Sequence, residues 1–226
     1  MLSGIHMPFK EHTFARFDDV LSSIRSHVLE MCELVELQLN QSLQAYFESS
    51  ASGAHRIIDQ DYLVNQMEVL IDELCVKAIA LQQPTASDLR TIIIASKIIV
   101  HLERIGDEAK KIARITIRLA HRQQLQKRCS ALIRRAAATT QQNLAQAVAN
   151  YASTDVNAAT SMLGAEDTNI EEFGTIFREL IQLMTEDPRT ISSSLEIFFV
   201  AKAIERIDNH IQQISKMIIV ASSRYS

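Results

Sequence analysis

Glu103-Arg104-Ile105 recurs 102 residues later as Glu205-Arg206-Ile207. Upstream, Asn65, Glu68 and Pro84 have counterparts at Asn169, Glu172 and Pro188, each 104 residues on. A turn two residues shorter after the second proline reconciles the two offsets. A period of roughly 100 residues is too long for a solenoid repeat and reads instead as duplication of a domain-sized unit.

The segments around these repeats are helical. Val20, Ile24, Val28, Met31, Val35, Leu39 and Leu43 recur at threes and fours, which predicts a first helix from about Phe14 to Phe47. Ser49-Ser50-Ala51-Ser52-Gly53 interrupts it. A second helix is expected from His55 to Gln82, with Ile57, Val64, Met67, Ile71, Leu74, Ala78 and Leu81 on one face. Pro84 stops it, and Thr85-x-x-Asp88 resembles a capping box opening a third helix from Asp88 to Ala120. A fourth runs from about Leu125 to Tyr151. Thr154-Asp155 reads as the cap of a fifth, which ends near Thr185, and Asp187-Pro188 opens a sixth that runs to about Ala221. The fold class is therefore all-α. Two tandem antiparallel three-helix bundles, residues 14–121 and 122–226, follow a loose tail, residues 1–13, that carries Gly4, His6, Pro8 and His12 without a period.

Composition agrees. Five glycines and three prolines in 226 residues are too few for the turns of a β-rich chain. Hydrophobic residues make up 47%, enough for a core, and with aromatics at 5% and no Trp that core is aliphatic. The net charge is −4, and neither half is basic, which argues against a nucleic-acid surface. No apolar stretch approaches the ~18–20 residues of a membrane span, and no signal peptide opens the chain, so the expected location is the cytoplasm or the periphery of a membrane. Cys32, Cys75 and Cys129 are far apart with no Cys-x-x-Cys, as expected of reduced thiols inside helices.

The chemistry-bearing residues are carboxylates. Asp61, Asn65, Glu68 and Asp72 are spaced 4, 3, 4 and share one stripe of the second helix. Glu103 and Asp107 stand at i, i+4 on the third. If these helices pack as a hairpin about Gln83–Ser87, the two stripes face each other at similar depth. Like charges so placed repel. Either they form a solvated face neutralised by Arg104 and Lys110, or a hard cation with oxygen ligands gathers them. In the second repeat Asn209 stands at the Asp107 position, Asp208 at that of Gly106, and Glu205 and Asp208 at i, i+3 can share a face; Glu172 lies among Glu166, Asp167 and Glu171. No Glu-x-x-His, Gly-rich phosphate loop, Gly-x-Ser-x-Gly or His-Glu-x-x-His occurs, so no enzyme motif is present. His101, two residues before Glu103, is expected to face elsewhere, and Gly106 reads as a close helix contact or as room for a ligand.

Three segments together resemble the PhoU family: Asp61-x-x-x-Asn65-x-x-Glu68-x-x-Ile71-Asp72, then Gln83-Pro84-Thr85-Ala86-Ser87-Asp88-Leu89-Arg90, then Leu102-Glu103-Arg104-Ile105-Gly106-Asp107. The likeness extends from about Phe14 to Ile219. It implies the same tandem fold and no catalytic activity. It implies a negative regulator of the bacterial phosphate-starvation response, which couples the phosphate-specific ABC transporter, on its cytoplasmic side, to a sensor histidine kinase and restrains phosphate uptake. It also implies a homodimer, contact with the membrane only through these partners, and bound metal (iron, zinc, manganese or magnesium) held by Asp61, Asn65, Glu68, Asp72, Glu103 and Asp107 in the first repeat. The corresponding residues of the second repeat are Glu172, Glu205, Asp208 and Asn209, where Asp208-Asn209 departs from the family's Gly-Asp. The competing reading is a carboxylate metal-binding, metal-storage or metal-dependent hydrolytic helical protein.

Overall fold

The computed structural model describes residues 9–120, 123–153, 160 and 166–222. Among the described residues the chain forms helices and no strands. In chain order these are α1 (Phe9–Glu48), α2 (Ala51–Gln60), α3 (Tyr62–Gln82), α4 (Ala86–Leu119), α5 (Gln123–Ser153), α6 (Glu166–Glu186), a 3₁₀ turn (Pro188–Thr190) and α7 (Ile191–Ser222). The Thr154-Asp155 cap lies outside the described residues.

Two expected boundaries move. Helix α1 starts at Phe9, so the last residues of the expected tail are helical; nothing between Phe9 and Phe14 breaks a helix. The expected single helix from His55 to Gln82 is two helices. The break after α1 is confined to Ser49 and Ser50. Ser49 adopts φ 54°, and Ser50 caps α2 by accepting the Gly53 amide at 3.1 Å. The chain is interrupted again at Asp61, where the Val64 amide donates to the Asp61 carbonyl at 3.1 Å, a tighter i+3 bond. No glycine or proline marks that point; what holds Asp61 there is a long-range contact described below.

The α3–α4 turn runs through Gln83 in the left-handed region (φ 47°). Thr85 opens α4, but its side chain makes no backbone cap. Its hydroxyl donates to Asp88 Oδ2 at 2.6 Å, while the Leu89 amide donates to the Thr85 carbonyl at 2.9 Å. The two side chains of the expected capping box thus satisfy each other. Asp187 does cap as expected: its Oδ1 accepts the Arg189 amide at 3.1 Å, with Pro188 at the first position.

In the first repeat, α1, α3 and α4 pack together with α2 against α4; in the second, α5, α6 and α7 pack together. Helices α4 and α7 run antiparallel along each other at the centre. Arg118 forks onto Glu196 with both bonds at 2.7 Å, Glu108 meets Arg206 at 3.1 Å, and His101 Nδ1 lies 3.0 Å from His210 Nδ1. One continuous apolar core threads both repeats, from Ile24 to Ile218. A small satellite core of Ala45, Ala54, Ile57 and Ala113 seats α2.

Burial corrects the repeat register. Buried positions coincide at an offset of 105 in α1/α5 (Val28 and Ile133, Met31 and Ala136, Leu39 and Leu144) and in α3/α6 (Ile71 and Ile176, Cys75 and Leu180, Ala78 and Leu183). In α4/α7 they coincide at 102 (Leu102 and Ile204, Ile105 and Ile207, Ala109 and Ile211). The offset of 104 read from Asn65/Asn169 and Glu68/Glu172 would set Val69 and Val76, both 58% exposed, upon Phe173 and Leu180, at 4% and 0%. A core side chain and a solvated one cannot be structural equivalents, so the second hairpin is shorter by three residues, not two.

Candidate functional site

Four of the sequence-predicted carboxylates meet on the outer face of the α3–α4 hairpin. Glu68 and Asp72 come from α3, Glu103 and Asp107 from α4, and Leu102, Ile105 and Ile71 beneath them are fully buried and fix both helices. Arg104 is the cation among them, 3.5 Å from Glu103 Oε2 and 3.8 Å from Asp107 Oδ2. Burial pushes the Glu103 carboxyl above the usual range; the Asp107 and Glu68 charges and a hydrogen bond that protonated Glu103 donates to Asp107 add to that, and Arg104 opposes it. Burial likewise raises Glu68, helped by Asp72 and Asp107 and opposed by Arg104. The cluster is therefore short of positive charge. An all-oxygen donor set with uncompensated charge fits a hard cation. Among the described residues no three histidine, cysteine or carboxylate side chains close on one point as metal ligands do.

Asp61 goes elsewhere. It is buried, its Oδ1 accepts the Gln38 amide at 3.1 Å, and its Oδ2 meets Lys110 Nζ at 2.5 Å. It ties the α2–α3 break to α1 and α4. Asn65 is exposed on α3. Gly106 is the close helix contact: a Cβ there would stand 2.9 Å from Gln38 Oε1 and 3.4 Å from Val64 Cγ1. Gln38 Oε1 is buried with no hydrogen-bond partner among the described residues.

The second repeat is built differently. At its register Phe173 and Phe177 stand where Glu68 and Asp72 do, and Lys202 stands at the Val100 position. Lys202 pairs with Glu205 and lies 5.8 Å over the Phe177 ring. Asp208, at the Gly106 position, is buried, accepting Asn143 Nδ2 at 2.8 Å and Gln212 Nε2 at 3.2 Å. Asn143 is the counterpart of Gln38, so each repeat joins the amide of its first helix to a buried carboxylate, Asp61 in one and Asp208 in the other. Glu205 and Asp208 therefore point to different neighbours despite their i, i+3 spacing. Asn209 is exposed, and the side chains of Glu166, Asp167, Glu171 and Glu172 lie outside the described residues.

The PhoU domain family matches residues 28–116 and 133–218, one copy on each repeat. The chain belongs to the PhoU family. It is 38% identical over 208 residues to the phosphate-specific transport system accessory protein PhoU of Escherichia coli K12, a match covering 92% of this chain and 86% of that protein. The PhoU homolog of Pseudomonas aeruginosa matches with the same identity and coverage. The crystal structure of PhoU from P. aeruginosa superposes with a TM-score of 0.88 over 93% of this chain and all of that one. PhoU from Streptococcus pneumoniae, at 23% identity and a TM-score of 0.85, shares the fold. No helix of the chain, among the described residues, is long and apolar enough to cross a membrane.

The spacing of Glu68, Asp72, Glu103 and Asp107 pointed to their meeting. The Gln38–Asp61–Lys110 contact and the His101–His210 pair had no such signal, because their members lie 23 to 109 residues apart. The Lys202–Glu205 pair was visible at i, i+3.

Proposed function

We propose that the chain is an accessory protein of a phosphate-specific transport system and regulates it without catalysing a reaction. The observation that carries this is the match of both repeats to PhoU domains, together with full-length relatives named as accessory proteins of that system. In its finer form, the protein represses the phosphate-starvation response when phosphate is plentiful. It does so by coupling the phosphate ABC transporter, at its cytoplasmic side, to a sensor histidine kinase, and it acts as a homodimer. Glu68, Asp72, Glu103 and Asp107 hold a divalent or ferric cation. That cation would supply the positive charge the cluster lacks and clamp α3 to α4; Arg104 serves as the counter-ion without it. The lone Glu205 beside Lys202 makes the second repeat the poorer site.

The test is deletion of the gene followed by an alkaline phosphatase or similar phosphate-scavenging reporter in phosphate-rich medium. The expected result is derepression, reversed by the wild-type gene. An unchanged reporter contradicts the regulatory role. Phosphate uptake measured in the same strains separates restraint of the transporter from signalling to the kinase.

A further inference from the structure

The outer face of α3 carries a second pattern. Tyr62, Asn65, Val69, Asp72, Val76 and Ile79 are spaced 3, 4, 3, 4, 3, the spacing of a helix seam that meets another helix, and all six are exposed. Tyr62, Val69 and Val76 are each more than half exposed, and Ile79 is 40% exposed. The core seam of α3 is a different one, Val64, Ile71, Cys75 and Ala78, so these side chains contribute nothing to the fold's interior. Beside them, Ile93 and Val100 of α4 are also exposed. Single exposed apolar residues are ordinary; Tyr62, Val69, Val76 and Ile79 instead form one apolar line along the helix, with Asn65 and Asp72 set between them, as a docking surface of mixed character would.

Charge defines the occupant. Glu68, Asp72, Glu103 and Asp107 line this face, with Arg104 as the cation among them, while Lys77, paired with Glu73, and Lys97 lie nearer the Gln83 turn. A partner fitting the face therefore presents apolar side chains at three–four spacing and lysine or arginine at the end away from the turn. The seam from Tyr62 to Ile79 is roughly 26 Å long, about five turns of helix. In the second repeat the counterparts of Val69 and Asp72 are Gly174 and Phe177, so among the described residues the seam is not repeated intact, although Ile181, at the Val76 position, is 59% exposed.

We infer that a basic amphipathic helix of a partner protein docks along α3, its apolar side chains between Tyr62, Val69 and Val76 and its cations on the four carboxylates. A metal on the same carboxylates would compete with the partner's cations, so the docking inferred is that of the metal-free face.

Photo-crosslinking tests it. The full chain carrying p-benzoylphenylalanine at Val76 is expressed in its own host, irradiated, and the crosslinked peptide sequenced by mass spectrometry. The expected product is a peptide of another protein, with apolar residues at three–four spacing and at least two lysines or arginines near the crosslink. Val69→Glu together with Tyr62→Glu lowers its yield about a hundredfold, the loss expected from removing two buried apolar anchors. Glu68→Lys with Asp72→Lys lowers it too, while circular dichroism stays helical. Crosslinks to a second copy of this chain, to lipid, to an acidic or non-helical peptide, or none at all overturn the inference. So does a yield indifferent to the charge reversals.

Discussion

Lys110→Met is the substitution whose cost the structure defines best. Asp61 is 5% exposed and draws on two groups, Lys110 at 2.5 Å and Gln38 at 3.1 Å. Methionine keeps most of the lysine's volume and removes only the charge and its bond, leaving the carboxylate with one neutral partner. Stranding a buried charge costs about 3–5 kcal/mol. The retained Gln38 bond and the 20% exposure of the lysine place this case at the low end, about 3 kcal/mol. For a chain of this size that lowers the melting temperature by roughly 6–12 °C. Asp61→Leu should cost less, about 1–2 kcal/mol, because the lysine left behind can reach water. The double variant should cost less than the two single changes together, since neither charge is then stranded. Urea and thermal unfolding of the four proteins, followed by far-UV circular dichroism, measure all three quantities. A Lys110→Met variant within 0.5 kcal/mol of wild type, or strict additivity, would refute the view that this pair pins the α2–α3 break.

Three further outcomes follow from the same contacts. Gly106→Ala should fall short of the ~1 kcal/mol gain expected from helix propensity, because the new methyl group meets Gln38 Oε1 at 2.9 Å and displaces the amide that bonds Asp61; Gln38→Ala should relieve that clash, and unfolding midpoints of the pair check it. Glu68 and Glu103 titrate above their ordinary range in the fold, so their charged forms oppose folding: the metal-free protein gains stability as pH falls through their folded pKa values and loses it as pH rises. Glu68→Gln with Glu103→Gln should therefore raise the melting temperature at pH 7 and make little difference near pH 4. Burial pushes the thiols of Cys32 and Cys75 up to about 12 and about 11, so a Cys129→Ser variant should react with a disulfide reagent at pH 8 only after denaturation.

The helices were legible because aliphatic residues at three–four spacing leave few alternatives, and Asp187-Pro188 announces its turn by local chemistry. The break at Asp61 was not. Its sequence neighbourhood is a continuous helical pattern, and the groups that hold it, Gln38 and Lys110, come from α1 and α4. The repeat register misled for a related reason. Asn169 and Glu172 match Asn65 and Glu68 in type, but residue type does not set a helix's rotation; the buried seam, with Ile176, Leu180 and Leu183, does. That one-residue change bears on the second site, since it puts Phe173 rather than Glu172 at the Glu68 position, and Phe177 at that of Asp72. Of the carboxylates expected to act together, Glu68, Asp72, Glu103 and Asp107 do meet, because each pair lies beside its helix's core seam. Asp61, at the break between α2 and α3, and Asp208, at the Gly106 position, are drawn inside by amides on α1 and α5.

The central claim is that the first repeat carries a cation-binding face and the second has lost it. Elemental mass spectrometry of protein purified without chelator or affinity metal, then exposed to iron, manganese, zinc or magnesium and desalted, addresses it directly. The account predicts bound metal that disappears in Glu103→Ala with Asp107→Ala and persists in Glu205→Ala, with the helical spectrum unchanged in both. Metal that survives the first pair of substitutions, or that is lost with Glu205, would contradict it.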